Sequence, residues 1–502
     1  MNDSSLPSRL RNHREPPSRN DLYKLFYYHL YDRTWNDYPA FQFNPSSPPP
    51  NPHRILLIEL SSIGDVTYAQ PTIESIAKRW PDGMIDFFCE EECSLAVKDH
   101  PALENCWTYP FETWDQWSGD YTDRILSELR STLNILRKQD YDLVINLHWS
   151  PFAALTAGFV DADVVSGPLL DLRLTPQLRG NPAFGLAYVC KSRSNAKFPL
   201  NPASTKRFLS DSFQGPTEFF ASKYPGTGVE KLFREKHAPE KKHLLVNTGS
   251  RMENRRWPAR HCIESLSQLD PNQYELGLIG GPSDYERLQT IERGISSQYS
   301  VVNWFEKTGS LKKDLVLSDC ADLTLSTDTG PMHLISIRDN PVLDVAGDIW
   351  VGPWNDQSAV IRSKNGEINN IKPGEISQLL NWFFQQGEPP KFDSNSRWYR
   401  SPLPATDPWF QYRKQGSDAP SKSRYLRCEA AILSRGGWSR QAKTYGWEGI
   451  DSLKTEFHRL RDIFWPQHSD LVPLQEPPEI YGNEYLDKSV QDKIDSVRQD
   501  WQ

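Results

Sequence analysis

Between Arg54 and Gly387 the apolar residues come in short runs separated by longer stretches of helical period, which predicts strands alternating with helices. The runs Ile55 to Glu59, Ile85 to Cys89, Leu143 to Leu147 and Val164 to Gly167 predict strands, with helices over Tyr68 to Arg79 and Arg124 to Lys138 between some of them. A less regular stretch from Leu169 to Pro225 and a charged one from Glu230 to Lys242 follow. The alternation resumes at His243 to Asn247, Tyr274 to Ile279, Leu323 to Ser326 and Val342 to Val345, and a helix over Gly374 to Phe384 closes it. Two doubly wound α/β halves are therefore expected. No repeat of solenoid period runs through the chain.

Two strand-to-helix turns carry the candidate chemistry. Leu60-Ser61-Ser62-Ile63-Gly64-Asp65-Val66 follows the first strand, and Ser326-Thr327-Asp328-Thr329-Gly330-Pro331-Met332-His333 follows a strand of the second half. Ligands of open parallel sheets sit where strands end and helices begin, and the exposed N–H groups of a helix start suit a phosphate. Two such turns, each with small residues and a carboxylate, predict two halves facing a shared cleft that takes a nucleotide-linked substrate.

The flanks have another character. Residues 1–20 are polar and Pro-rich, with Arg9, Arg11, Arg14 and Arg19, and read as disordered. Asp21 to Tyr31 can form a helix with an apolar stripe of Leu22, Leu25, Phe26 and Leu30, which suits packing on a neighbouring domain better than a membrane surface because basic residues are few. Asn44 to Pro52 reads as a linker. Beyond Gly387 lies a Pro- and Ser-rich tract and then a tail bearing Trp438, Trp447, Trp465 and Trp501. Such tryptophans more often glue a tail to its domain than stack on sugars.

A length of 502 residues accommodates two such halves and the appendages. Lys+Arg 57 against Asp+Glu 65, a formal net charge of −8, argues against a nucleic-acid partner. Seven cysteines without a CxxC pair suit a reducing, cytoplasmic setting. No signal-type segment or membrane-spanning run is apparent, which leaves peripheral contact as the expected approach to a membrane-bound substrate.

Taken together, Ser61-Ser62-Ile63-Gly64-Asp65, then Asn247-Thr248-Gly249-Ser250 with Arg255-Arg256-Trp257-Pro258, then Asp328-Thr329-Gly330-Pro331-Met332-His333 resemble glycosyltransferase family 9, the lipopolysaccharide heptosyltransferases. The resemblance spans roughly Arg54 to Gly387 and neither tail. It implies a GT-B fold with the chain divided into an N-terminal extension and linker (1–52), a Rossmann-like acceptor domain (53–240), a Rossmann-like nucleotide-sugar domain (241–387) and a C-terminal extension (388–502). It also implies inverting, metal-independent transfer of a heptose from ADP-heptose, with no cofactor, to a hydroxyl of a glycan such as lipopolysaccharide core. Asp65 maps to the base, in the turn with Ser62 and Gly64. Thr248 and Ser250 map to hydroxyl contacts with the donor, Thr329 and Gly330 to N–H donors, Asp328 to sugar hydroxyls, His333 to the same turn, and Asp284, on a loose alignment, to a ribose contact. Arg255 stands where the family has Lys; the charge is kept, but a planar fork replaces a compact ammonium.

Simpler roles exist for these residues. Asp65 could be a helix cap, Thr329-Gly330-Pro331 an ordinary helix start and His333 a packed histidine. Asp161-Ala162-Asp163 has the form of a metal-binding DxD, yet lies where aspartates make turns. Cys89, Cys93, His100 and Cys106 match no common zinc spacing. The cluster Lys231, Arg234, Lys236, Lys241 and Lys242, mixed with Glu, reads as a solvated linker. Two further functions compete with glycan transfer: glycosylation of a protein Ser or Thr, with the tails as acceptor dock, and a catalytically silent sugar-nucleotide-binding scaffold.

Overall fold

The computed structural model describes residues 42–109, 122–170, 176–181, 184, 202–210, 219–225, 228–250, 253–338, 340–346, 352–363, 366–385, 388–392 and 396–400. The extensions before residue 42 and after residue 400, with the expected helix over Asp21 to Tyr31 and the four tail tryptophans, lie outside the described residues. The chain divides into two compact units at Gly215–Pro216.

The first unit runs β1 (Gln42–Pro45), β2 (Arg54–Ile58), α1 (Ile63–Arg79), β3 (Met84–Glu90), β4 (Asn105–Tyr109), α2 (Thr122–Arg137), β5 (Leu143–Asn146), α3 (Pro151–Phe159), β6 (Val164–Leu170), β7 (Pro176–Gly180) and α4 (Pro202–Leu209). Its sheet has the order β1-β7-β6-β5-β2-β3-β4. The pairs from β4 through β6 are all parallel, whereas β6 pairs antiparallel with β7. Inverse order on either side of β2 and β5 makes the gap between those strands the topological switch point, where parallel sheets bind ligands. The four expected strands and two expected helices are present, with α1 beginning five residues earlier than Tyr68, at Ile63. β1 overlaps the start of the tract expected to be linker, at Asn44 and Pro45: among the described residues it pairs with β7, and such an edge position tolerates a proline.

The second unit runs α5 (Val229–Lys236), β8 (Lys242–Asn247), α6 (Ala259–Leu266), β9 (Tyr274–Leu278), α7 (Tyr285–Ile295), β10 (Val301–Asn303), α8 (Phe305–Thr308), α9 (Leu311–Cys320), β11 (Leu323–Thr327), α10 (Gly330–Ser336), β12 (Val342–Ala346), β13 (Ala359–Ser363), α11 (Pro373–Gln385) and β14 (Ser396–Arg400). The order β10-β9-β8-β11-β12-β13 is the six-strand Rossmann pattern, parallel throughout. Here the switch point lies between β8 and β11. One apolar cluster of the core includes Leu244, Val246, Leu276, Leu323, Leu343, Leu379 and the fully buried Trp257.

Two boundaries differ from the sequence-based division. α5 packs on α9, so it belongs to the second unit although it precedes residue 240. β14 pairs antiparallel with β13 and closes the second sheet from residues expected to lie in the C-terminal extension. Trp398 secures it, its ring 4.9 Å from that of Trp382 and its Nε1 donating to Pro390 O at 2.9 Å. A hydrophobic anchor outside the alternating pattern is thus part of the sheet.

Candidate active site

In the first unit both turns at the switch point carry candidate chemistry. β2 runs into the turn Glu59 to Ser62, and α1 begins at Ile63 with Ser62 as its extended N-cap. Asp65 is therefore in the first turn of α1 and is not its cap. Its Oδ2 accepts from Ser61 Oγ at 2.8 Å and from Ser62 Oγ at 3.0 Å, so two hydroxyls hold the carboxylate at a fixed orientation. Gly64, between them, is buried.

Asp65 is partly buried, and burial alone would raise its carboxyl; the positive charge of Lys206, the two serine hydrogen bonds and His148 together outweigh it and hold the group below the usual carboxylate range. Lys206 comes from α4 and is itself paired with the buried Glu59 at the end of β2. His148 follows β5 across the switch point, with Nδ1 3.2 Å from Ser150 Oγ, the side chain that caps α3. The result is an ionised carboxylate with a cation and an imidazole nearby. Such a group can accept a proton from a hydroxyl brought to it.

In the second unit, the turns after β8 and β11 are stitched together at the other switch point. Thr327 Oγ1 donates to Gly249 O at 2.7 Å, and Asn247 Nδ2 lies 3.4 Å from Ser326 Oγ. Gly249 is required there: a Cβ on it would stand 2.2 Å from Asp284 Oδ2. Thr248 is buried and accepts from Arg287 Nε at 3.0 Å, while Ser250 O accepts from Arg256 Nε at 2.7 Å.

Asp328 is the hub of this corner. Arg255 Nη1 lies 3.3 Å from its Oδ2, and His333 Nε2 lies 3.4 Å from its Oδ1. The Arg255 side chain is 48% exposed against 6% for Asp328, so the guanidinium keeps one side open while its partner is enclosed. Thr329 is the extended N-cap of α10, and Pro331 occupies its first turn. Thr329 Oγ1 is buried and has no hydrogen-bond partner among the described residues. Asp284 is turned toward its own loop: Oδ2 accepts from Gly281 N–H at 3.0 Å and Oδ1 lies 3.6 Å from Arg256 Nη2.

The structure thus gathers Arg255, Asp328, His333, Thr329 and Gly330 into one corner. Thr248, Ser250 and Asp284 line the adjoining turn, and Ser62, Gly64 and Asp65 stand in the first unit. Sequence reasoning missed four participants. Lys206 lies in the stretch without a readable motif, His148 follows a strand but belongs to no quoted motif, and Arg287 sits within an amphipathic helix. Asp344 is wholly enclosed on β12, and burial first, then the Asp328 carboxylate, push its carboxyl well up while Arg255 pulls it down. Its signal was a single carboxylate inside the apolar run Val342-Leu343-Asp344-Val345.

The remaining motif residues take local roles. Asp161 has a left-handed backbone (φ 61°) and lies 3.8 Å from Arg137, as a turn residue would. His100 faces Glu74 at 3.4 Å, with burial pushing the imidazole down to about 4. Cys93 Sγ donates to Ser61 O at 3.4 Å, and Cys89 and Cys106 Sγ atoms are 3.9 Å apart. No helix among the described residues is long and apolar enough to cross a membrane.

Comparison with known proteins bears on the family and the fold. The profile of glycosyltransferase family 9 (heptosyltransferase) matches residues 129–379. Lipopolysaccharide heptosyltransferase 1 of Campylobacter coli is 24% identical over 321 residues, 59% of this chain and 84% of that relative. Lipopolysaccharide heptosyltransferase 1 of Escherichia coli O18:K1:H7 is 20% identical over 344 residues, 65% of this chain and 97% of that relative. Among solved structures, the glycosyl transferase family 9 protein from Veillonella parvula DSM 2008 is similar in fold, with a TM-score of 0.55 at 16% identity, covering 68% of this chain and 100% of the other.

Proposed function

Since this chain belongs to glycosyltransferase family 9 and carries its GT-B pair of Rossmann-like units, it is a glycosyltransferase, and we propose that it moves a heptose from ADP-heptose to a hydroxyl of a lipopolysaccharide-core-type glycan, with inversion. The observation that carries this reading is the placement of both candidate constellations at switch points: Asp65 beside β2 and β5, and the Arg255–Asp328 pair beside β8 and β11. The relatives' names supply the sugar and the acceptor class.

In this mechanism the first unit holds the acceptor and the second the nucleotide sugar. Asp65 takes the proton as the acceptor oxygen attacks the anomeric carbon, and the carbon–oxygen bond to the diphosphate breaks on the opposite side. A single displacement inverts the centre. The electron pair departs on the diphosphate, where negative charge grows; Arg255 and the N–H groups at Thr329 and Gly330 offset it. Asp328, fixed by Arg255 and His333, accepts from sugar hydroxyls. Thr248 and Ser250 contribute hydroxyls to the nucleotide side, and Asp284 is assigned to the ribose end.

The fixed cation at Arg255 takes the charge-neutralising part that a divalent ion has in other transferases, so initial rates at moderate temperature are expected to persist in excess EDTA. Thermal titration with ADP-, GDP- and UDP-sugars tests the donor: ADP-heptose should raise the melting temperature with concentration, by mass action. A larger shift with another nucleotide would reject ADP-heptose as the donor. Product analysis with a lipopolysaccharide-core acceptor and with a Ser/Thr-bearing protein tests the acceptor class.

A further inference from the structure

A second constellation lies at the opposite end of the second sheet and is not used by the transfer chemistry. His243 and Glu275 are directly opposed residues near the starts of β8 and β9, so their side chains emerge on the same face. His237, immediately after α5, is brought onto that face from above. His237 Nδ1 is 2.7 Å from Glu275 Oε2, and His243 Nδ1 is 3.7 Å from the same oxygen. One ligand atom from each of the three lies within 4.8 Å of the others, and among the described residues this is the one His/Cys/Asp/Glu group so arranged.

We propose that His237, His243 and Glu275 bind a divalent cation of the zinc type and thereby clamp α5 to the β8–β9 edge. Two imidazoles and a carboxylate are a donor set for zinc and its d-block neighbours. Metal–ligand distances of about 2.0 to 2.2 Å place ligand atoms of a tetrahedral site roughly 3.3 Å apart, between the two separations observed here. Side-chain adjustments of roughly half an ångström would bring both separations to that spacing, with water as a fourth ligand.

Two further features favour a cation over a plain hydrogen-bonded pair. His243 Nδ1 is buried with no hydrogen-bond partner among the described residues, which is costly for a polar atom facing a carboxylate unless something joins them. The carboxylate is also oriented from behind, since Ala238 N–H donates to Glu275 Oε2 at 3.0 Å, and Phe233 packs against both rings at 4.2 and 5.1 Å. Outer contacts of that kind set ligand direction and exclude water.

The site is structural because five residue steps along the strand lead from His243 to Thr248, roughly 16 Å at the rise of a parallel strand. Metal removal should therefore lower the melting temperature without stopping transfer.

The experiment uses the full-length protein, stripped with chelator and titrated with Co²⁺ and, separately, Zn²⁺. One equivalent per chain is expected, giving visible d–d bands without thiolate charge-transfer absorption, together with a Zn²⁺-dependent rise in melting temperature. His243→Gln should weaken binding at least about tenfold, as even outer-sphere changes do in such sites. Asp65→Asn should bind metal like the native chain while losing transfer, which separates this proposal from the functional one. Absence of Co²⁺ binding by the native chain, a thiolate band marking the cysteines as ligands, or unchanged affinity in His243→Gln would each overturn it, and the first two need no variant that must fold.

Discussion

The turns at the two switch points solve opposite electrostatic problems with the same backbone device. In the first unit one carboxylate is held by neutral hydroxyls, with Lys206 and His148 acting through space, so Asp65 is ionised and oriented without a direct salt bridge among the described residues. In the second, Asp328 is paired with Arg255 and flanked by His333, and Arg256 and Arg287 donate to the adjoining turn. Under the proposed mechanism, the group that takes the proton is kept free of a bidentate cation, and the corner that receives departing negative charge is supplied with guanidinium. The strand-to-helix turn offers position in both cases, and the side chains decide the chemistry.

The strongest way to break this contrast is Asp65→Asn, which keeps shape and removes the base. Transfer should fall on the order of 10² to 10⁴, while affinity for the nucleotide sugar, measured by calorimetry, stays near native. Near-normal turnover would remove Asp65 from the mechanism.

Arg255→Ala should act on the other side of the comparison. Because its charge meets the diphosphate before and during transfer, donor affinity is expected to fall roughly ten- to a hundredfold along with turnover, the scale of a charge-assisted contact. Arg255→Lys should recover part of both. Unchanged donor affinity in Arg255→Ala would show that the diphosphate binds elsewhere.

Gly249→Ala probes whether the second turn depends on backbone closeness. With 2.2 Å between the new Cβ and Asp284 Oδ2, the loop or the carboxylate must move. A loss of about 1 to 3 kcal/mol in stability is expected from denaturant titration, with weakened donor binding; native stability and affinity would show that the carboxylate gives way freely.

The smallest effect concerns pH. Lys206 lowers the Asp65 carboxyl, so the active carboxylate form persists as pH falls until that depressed value is reached. Lys206→Met removes the largest of the lowering influences, and the acid limb of kcat/KM should shift to higher pH. A limb that stays in place, in a variant whose circular dichroism is native, would show that Lys206 serves only Glu59.

Strand and helix placement over most of both units was legible because their contacts are periodic and local: Ile55 to Ile58 and Leu323 to Thr327 are buried at every position, and the closing helix shows its apolar stripe. The site was legible where small residues and a carboxylate follow a strand, as at Asp65 and Asp328. It was not legible at Lys206, whose partner Glu59 is 147 residues away and whose helix sits in a stretch without punctuation. β14 escaped for a related reason: its apolar anchor, Trp398, contacts Trp382 and Pro390 across a Pro- and Ser-rich tract that looks like linker.

By itself, then, the sequence determined two α/β halves, their order and the two turns that bear the carboxylates, because hydrophobic period and turn chemistry act over a few residues. Only the tertiary structure decided which strands stand side by side, and so that Arg255 meets Asp328, that Lys206 bears on Asp65, and that His237, His243 and Glu275 converge. Those meetings depend on strand order and register, which no local pattern encodes.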